Sequence, residues 1–215
     1  MIEKALASIV VTAQAFNPSI FSEKWLNENG LVDLSALSGV RLFSPEIAQF
    51  QTEKFSVLTL SPKLQVSFDI TKPEKIDTAP RQFVGKVVRL LPHTPFLALG
   101  INFDFFVSQQ KGDDFGKYCQ ALFSPGNSAL LKEFHAPDVR FGQYLSKNIG
   151  NARLKLDAKP VRIEPEKREL LQFSFNFHHD LATIEQNTRA DELHKLLDTW
   201  ESLYAYAMKL VAMGS

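Results

Sequence analysis

The sequence predicts an α+β fold: a mixed, mostly antiparallel sheet whose Phe-rich face is packed by helices, including a long C-terminal helix. Three observations carry this. Phenylalanine is abundant, with 18 residues against four Tyr and two Trp, and many of them fall in alternating, strand-like segments. A run of such segments between residues 40 and 70, joined by turn signals, reads as an antiparallel meander. The clearest helical stripe closes the chain.

The first strand is predicted over Leu6 to Gln14, where Ile9 and Val11 alternate with Ser8, Val10 and Thr12. Asn17 then Pro18 marks a helix start, as N-cap and first helical residue. Ile20, Phe21, Trp25 and Leu26 follow at helical spacing, and Gly30 stops the helix. Strands are predicted over Val40–Phe43, Ile47–Thr52, Phe55–Leu60 and Lys63–Ile70, with tight turns at Glu53-Lys54 and Ser61-Pro62. Residues 71–80 read as a loop. Phe83, Val87, Leu90 and Leu91 make Gln82–Leu91 a helix, ended by Pro92 and Pro95. Phe96–Val107 is a strong strand, placed beside Lys63–Ile70 as a parallel neighbour through a right-handed crossover.

Asp113–Phe123 reads as a helix with acidic residues in its first turn, residues 124–128 as a turn, and Ala129–Phe134 as a further helical turn. Val139–Leu145, Ala152–Asp157 and Leu170–Phe177 are predicted strands, while Pro160 and Pro165 demote Val161–Glu164 to an edge strand or loop. Thr188 with Asp191 has the spacing of a capping box, and Leu193, Leu196, Trp200, Leu203, Ala207 and Leu210 form the stripe of the terminal helix. No linker marks a boundary, so residues 1–213 are read as a single domain and Gly214-Ser215 as a cloning remnant.

Composition excludes several classes of function. The chain has 215 residues, 24 basic against 24 acidic, so a global electrostatic grip on nucleic acid or an anionic membrane is not expected. Apolar residues at 45% and charged residues at 22% argue for a folded globule. No apolar run reaches the length of a membrane span, and no secretory signal opens the chain. One cysteine, Cys119, forbids an intramolecular disulfide framework and points to a reducing, cytoplasmic setting. In its predicted helix it reads as a buried thiol. Phosphate-loop, dinucleotide-binding and serine-hydrolase glycine motifs are absent, as is a zinc-type histidine pair.

Three candidate sites remain. Leu64–Ile70, Leu99–Phe105 and Leu171–Phe177 share one alternation of apolar and small polar residues, an echo that either strand-unit duplication or a common burial constraint produces. Ser67 and Asp69 share a face, as do Asn102 and Asp104, and Ser174, Asn176 and His178. With these strands adjacent, Asp69, Asp104 and His178 would converge on a metal or a shared proton; otherwise they are a solvated sheet face.

The second candidate is Asp138 opening one predicted strand, with Asp157 and Lys159 ending another. This resembles the PD-(D/E)xK nuclease signature over a few residues. The resemblance implies that Asp138 and Asp157 hold Mg2+ and that Lys159 orients or activates the attacking water. Arg140, Lys147, Arg153, Lys155 and Arg162 lie nearby in sequence as possible phosphate contacts.

The third is the terminal helix, where Tyr204, Tyr206, Met208 and Val211 widen the apolar stripe; this face either packs on the domain's own sheet or, through Trp200, Tyr204, Met208 and Val211, meets a protein partner or a second copy. With catalytic signatures wanting, the function read from the residues is a non-enzymatic macromolecule-binding protein, a subunit or regulator in a complex. The magnesium-dependent nuclease is the alternative.

Overall fold

The computed structural model describes residues 1–108, 114–124, 139–164 and 168–214. Nine strands form one sheet: β1 (Ile2–Ala13), β2 (Leu37–Phe43), β3 (Ile47–Thr52), β4 (Ser56–Leu60), β5 (Lys63–Asp69), β6 (Phe96–Val107), β7 (Gln143–Ile149), β8 (Ala152–Ile163) and β9 (Arg168–Asp180). Their order across the sheet is β2-β3-β4-β5-β1-β6-β9-β8-β7. Among the described residues five helices accompany them: α1 (Glu23–Glu28), α2 (Ala79–Leu90), α3 (Phe115–Phe123), α4 (Arg189–Leu197) and α5 (Trp200–Met213).

Every pairing is antiparallel. This corrects the expected parallel contact between β5 and β6. The first strand inserts between them, with Leu6 opposite both Asp69 and Asp104. β5 and β6 do run in the same direction across the helical crossover, but one strand apart, and the gap admits β1 antiparallel to both. The topology is that of a repeated unit: strand, helix, antiparallel strands, helix. In it β1 corresponds to β6 and β5 to β9. The echo segments Leu64–Ile70 and Leu171–Phe177 therefore occupy equivalent strands, each paired with the first strand of its own half.

Local chemistry accounts for the element ends. Asn17 caps a single 3-10 turn at Pro18–Ile20, and Ser22 caps α1 by accepting from the Trp25 N–H. Gly30 follows α1 at φ 59°, a conformation that favours glycine. Asp114 caps α3 through the Lys117 N–H. In β8, Pro160 is tolerated because β7 pairs only as far as Ala158, so among the described residues no strand pairs with the outer side of residues 159–163.

The expected long C-terminal helix is two helices, broken at Asp198-Thr199. Thr188 does not build a capping box; its hydroxyl donates instead to the Glu185 carbonyl at 2.9 Å. The helical turn at Ala129–Phe134 lies outside the described residues. Gly214 is integrated with the fold, its carbonyl accepting the Tyr118 hydroxyl at 2.6 Å.

Alternation puts the odd residues of β1 and β6 on the helix side, with Ile9, Val11, Phe103 and Phe105 fully buried. Phe103 sits edge-on to Trp200 at 5.3 Å and to Tyr204 at 5.7 Å between ring centroids. Phe175 and Phe177 continue the aromatic layer onto β9. Under α2, Phe83 packs on Phe50 and Phe55. The Phe-rich face is thus the core, and it determines which sheet face is left over.

Candidate functional site

The helices lie on one side of the sheet, and no described helix packs on the other. Its composition follows from register. Ser146, Lys155, Asn176, Asn102, Ser8, Ser67, Ser56, Gln51 and Ser38 stand opposite one another in succession, a polar row crossing all nine strands. At its centre the Asn176 amide donates to Asn102 Oδ1 at 2.6 Å, and the Asn102 amide donates to Ser8 Oγ at 3.1 Å. In the next row the Ser174 hydroxyl donates to Asp104 Oδ1 at 2.5 Å, and Gln172 donates to the same atom at 3.3 Å. The asparagines have donor and acceptor capacity beyond these bonds, so the row can hydrogen-bond to an approaching surface.

The three-residue cluster does not assemble. Asp69 and Asp104 share a row but lie two strand steps apart, about 10 Å between backbones, with Leu6 between them. His178 lies opposite Gly100, four residues along β9 from Ser174, about 13 Å up the strand. Among the described residues no group of three or more His, Cys, Asp or Glu is placed to hold a metal ion.

Of the nuclease-like residues, Asp138 lies outside the described residues. Asp157 and Lys159 share the open face of β8, and the Lys159 ammonium donates to Asp157 Oδ2 at 2.5 Å. Arg153 and Lys155 are exposed on that same face. Arg162 lies on the opposite face by parity, and Arg140 pairs with Glu169 at 2.8 Å. The basic residues grouped by sequence thus divide between the two sides of the sheet.

The terminal-helix residues are largely occupied by the chain itself. Trp200 and Val211 are 2% exposed, and Tyr204 stacks on Trp200 at 5.2 Å while touching Phe103 and Phe105; only Tyr204 and Met208 keep partial exposure. Trp200 also carries Arg81 over its ring at 5.0 Å. The apolar stripe is wide because helix α5 faces an aromatic sheet, as the Phe-rich strand pattern implied.

The remaining reactive groups are quiet. Cys119 is buried, and burial pushes its thiol pKa up to about 11, opposed by Arg140. That keeps it protonated and non-nucleophilic. His179, on the helix side of β9, is 5% exposed with neither ring nitrogen partnered. Its pKa is lowered, first by burial and then by His178. A cleft of about 380 Å³ between α2 and α4 contains Arg81, Arg89 and His194, but Arg81 is held by Glu201 and by the Trp200 ring.

The polar row was half visible in the sequence. The echo segments place Ser67, Asn102 and Ser174 at the same offset, but the register sets Asn176 rather than Ser174 in their row, and Ser8 joins it only because β1 runs through the middle of the sheet. No protein-family model matches the chain, and no curated protein matches it.

Proposed function

We propose that this chain is a non-catalytic binding protein, a subunit or regulator that engages a macromolecular partner, most simply another protein. The observation that supports this reading is the open sheet face. Eight strand spacings of about 4.8 Å give a width of about 38 Å, and about six residues of strand give a depth of about 20 Å. The product, roughly 760 Å², is close to the area one partner buries in a standard interface, about 800 Å². The face mixes uncharged hydrogen-bonding groups along its central row with charges that include Asp104, Arg153, Lys155, Asp157 and Lys159, a surface that can meet a partner's polar groups. Among the described residues no helix is long and apolar enough to cross a membrane. A reducing, cytoplasmic setting is part of the proposal and rests on the single cysteine.

The test is recovery of the full chain from its source cell, wild type beside Asn102→Asp. Aspartate there keeps the size but removes the donor and adds charge in the polar row, so a stoichiometric partner should be lost while the thermal midpoint is held. Recovery of wild type alone overturns the reading.

A second reading keeps the magnesium-dependent nuclease, favoured by the Asp157–Lys159 pair on one exposed face beside Arg153 and Lys155. It requires Mg2+-dependent cleavage of DNA or RNA by the purified chain that vanishes in Asp157→Ala. Intact substrate with wild type removes it.

A further inference from the structure

Among the described residues the sheet has two edge strands, β2 and β7, and they are built differently. β2 is irregular: its pairing with β3 slips between Ser38 and Leu42, and Gly39 sits at φ 63°. Such a bulge twists an edge away from further pairing. β7 has no such protection. It pairs residue for residue with β8 from Gln143 to Ile149, contains no proline, and has Lys147 as its single charge. Its outward N–H and C=O groups make no backbone bond to any other described segment. Tyr144 is 64% exposed and Leu145 51%. A regular edge with no bulge or proline and only one charge is a template for another strand.

The surroundings of β7 specify what that strand should carry. On the helix side Leu145, Leu154, Leu156 and Leu210 line an apolar groove of about 320 Å³ beside Ser146 and Lys147. On the open side Arg153 and Lys155 flank Ser146 and Asn148. Among the described residues neither they nor Lys147 join any ion pair: Arg153 donates to Asn148, and Lys147 lies 5.2 Å from the Tyr206 ring centroid. In a chain with no net charge, three cations stand at one corner where the neighbouring carboxylate, Asp157 opposite Tyr144, is already held by Lys159, which leaves local positive potential. A second copy of β7 would bring the same cations against themselves.

We propose that β7 takes an extended acidic segment of a partner protein as an added strand, its apolar residues entering the leucine groove and its alternating carboxylates lying beside Ser146 and Asn148, within reach of the long Arg153 and Lys155 side chains that extend across β7. Main-chain hydrogen bonds supply affinity and the alternate side chains supply specificity. This rests on the protein-binding reading and names the partner's chemistry.

The probe is a fluorescein-labelled peptide of alternating leucine and aspartate, about as long as β7, with a leucine–lysine peptide as its counterpart. Fluorescence anisotropy reads affinity, and amide hydrogen exchange on the full chain reads location. The expected result is binding of the acidic peptide only, with new protection confined to residues 143–149. Lys155→Glu and Leu145→Asp, both exposed positions, should each weaken it at least about tenfold without changing the thermal midpoint. Equal binding of the two peptides, protection elsewhere, or a wild-type chain that self-associates through β7 and excludes the peptide overturns the inference. The two variants then go into recovery from the source cell. A partner retained by both sinks the edge inference and spares the binding function, whereas a wild type that retains none sinks the function itself.

Discussion

Replacing Trp200 by alanine separates a core residue from a surface contact. Trp200 opens α5 at 2% exposure, with Tyr204 stacked on it and Phe68 and Phe103 within 6.1 Å and 5.3 Å between centroids. Truncating a buried Trp to Ala costs about 3–5 kcal/mol in transfer and cavity terms. The aromatic pairs and the Arg81 contact place this site in the upper part of that range, about 4–5 kcal/mol. For a chain of this size each kcal/mol lowers the thermal midpoint by about 2–4 °C, so the expected drop is about 8–20 °C. Trp200→Phe should cost far less, because the indole N–H is buried without a partner and its removal relieves an unmet donor. Urea unfolding followed by circular dichroism measures both. A loss under about 1 kcal/mol in Trp200→Ala would refute the packing argument and return the residue to the list of partner contacts.

Three other outcomes follow from buried or half-buried groups. The His179 pKa is held below the ordinary value of 6.5, so its stability contribution is complete above that value. It is lost as pH falls toward the depressed folded value, and the midpoint of wild type should decline below about pH 6.5 more steeply than that of His179→Leu. Parallel pH curves for the two proteins would sink this account; His194, also lowered by burial and by Arg89, leaves a residual slope of the same sign. The Arg189 guanidinium donates to the carbonyls of Ile184, Phe96 and Ala182 at 2.8–2.9 Å. Its loss to alanine should cost about 2–4 kcal/mol by urea titration, and lysine, lacking the planar fork, should restore less than half. Cys119 should resist iodoacetamide near pH 8 in the folded protein and react on unfolding, as its buried thiol titrates near about 11. Stoichiometric labelling of the native state by mass spectrometry would contradict its placement.

Local pattern made much of the architecture legible. Period-2 alternation marked Phe96–Val107 to the residue, and the turn residues at 53–54 and 61–62 marked the meander. These signals act over a few residues, where backbone sterics and side-chain alternation decide. The break between α4 and α5 escaped because the apolar stripe runs through Asp198-Thr199 without a glycine or proline to interrupt it.

By itself, then, the sequence determined the element types, the α+β class and which side chains alternate onto a common face. Tertiary structure alone decided the strand order, because pairing depends on contacts separated by up to about a hundred residues, such as Ser8 with Asn102. That one choice placed β1 between β5 and β6, separated Asp69 from Asp104, and joined the serines and asparagines into a continuous row. It also left β7 at the margin, where its backbone has no further strand to meet among the described residues.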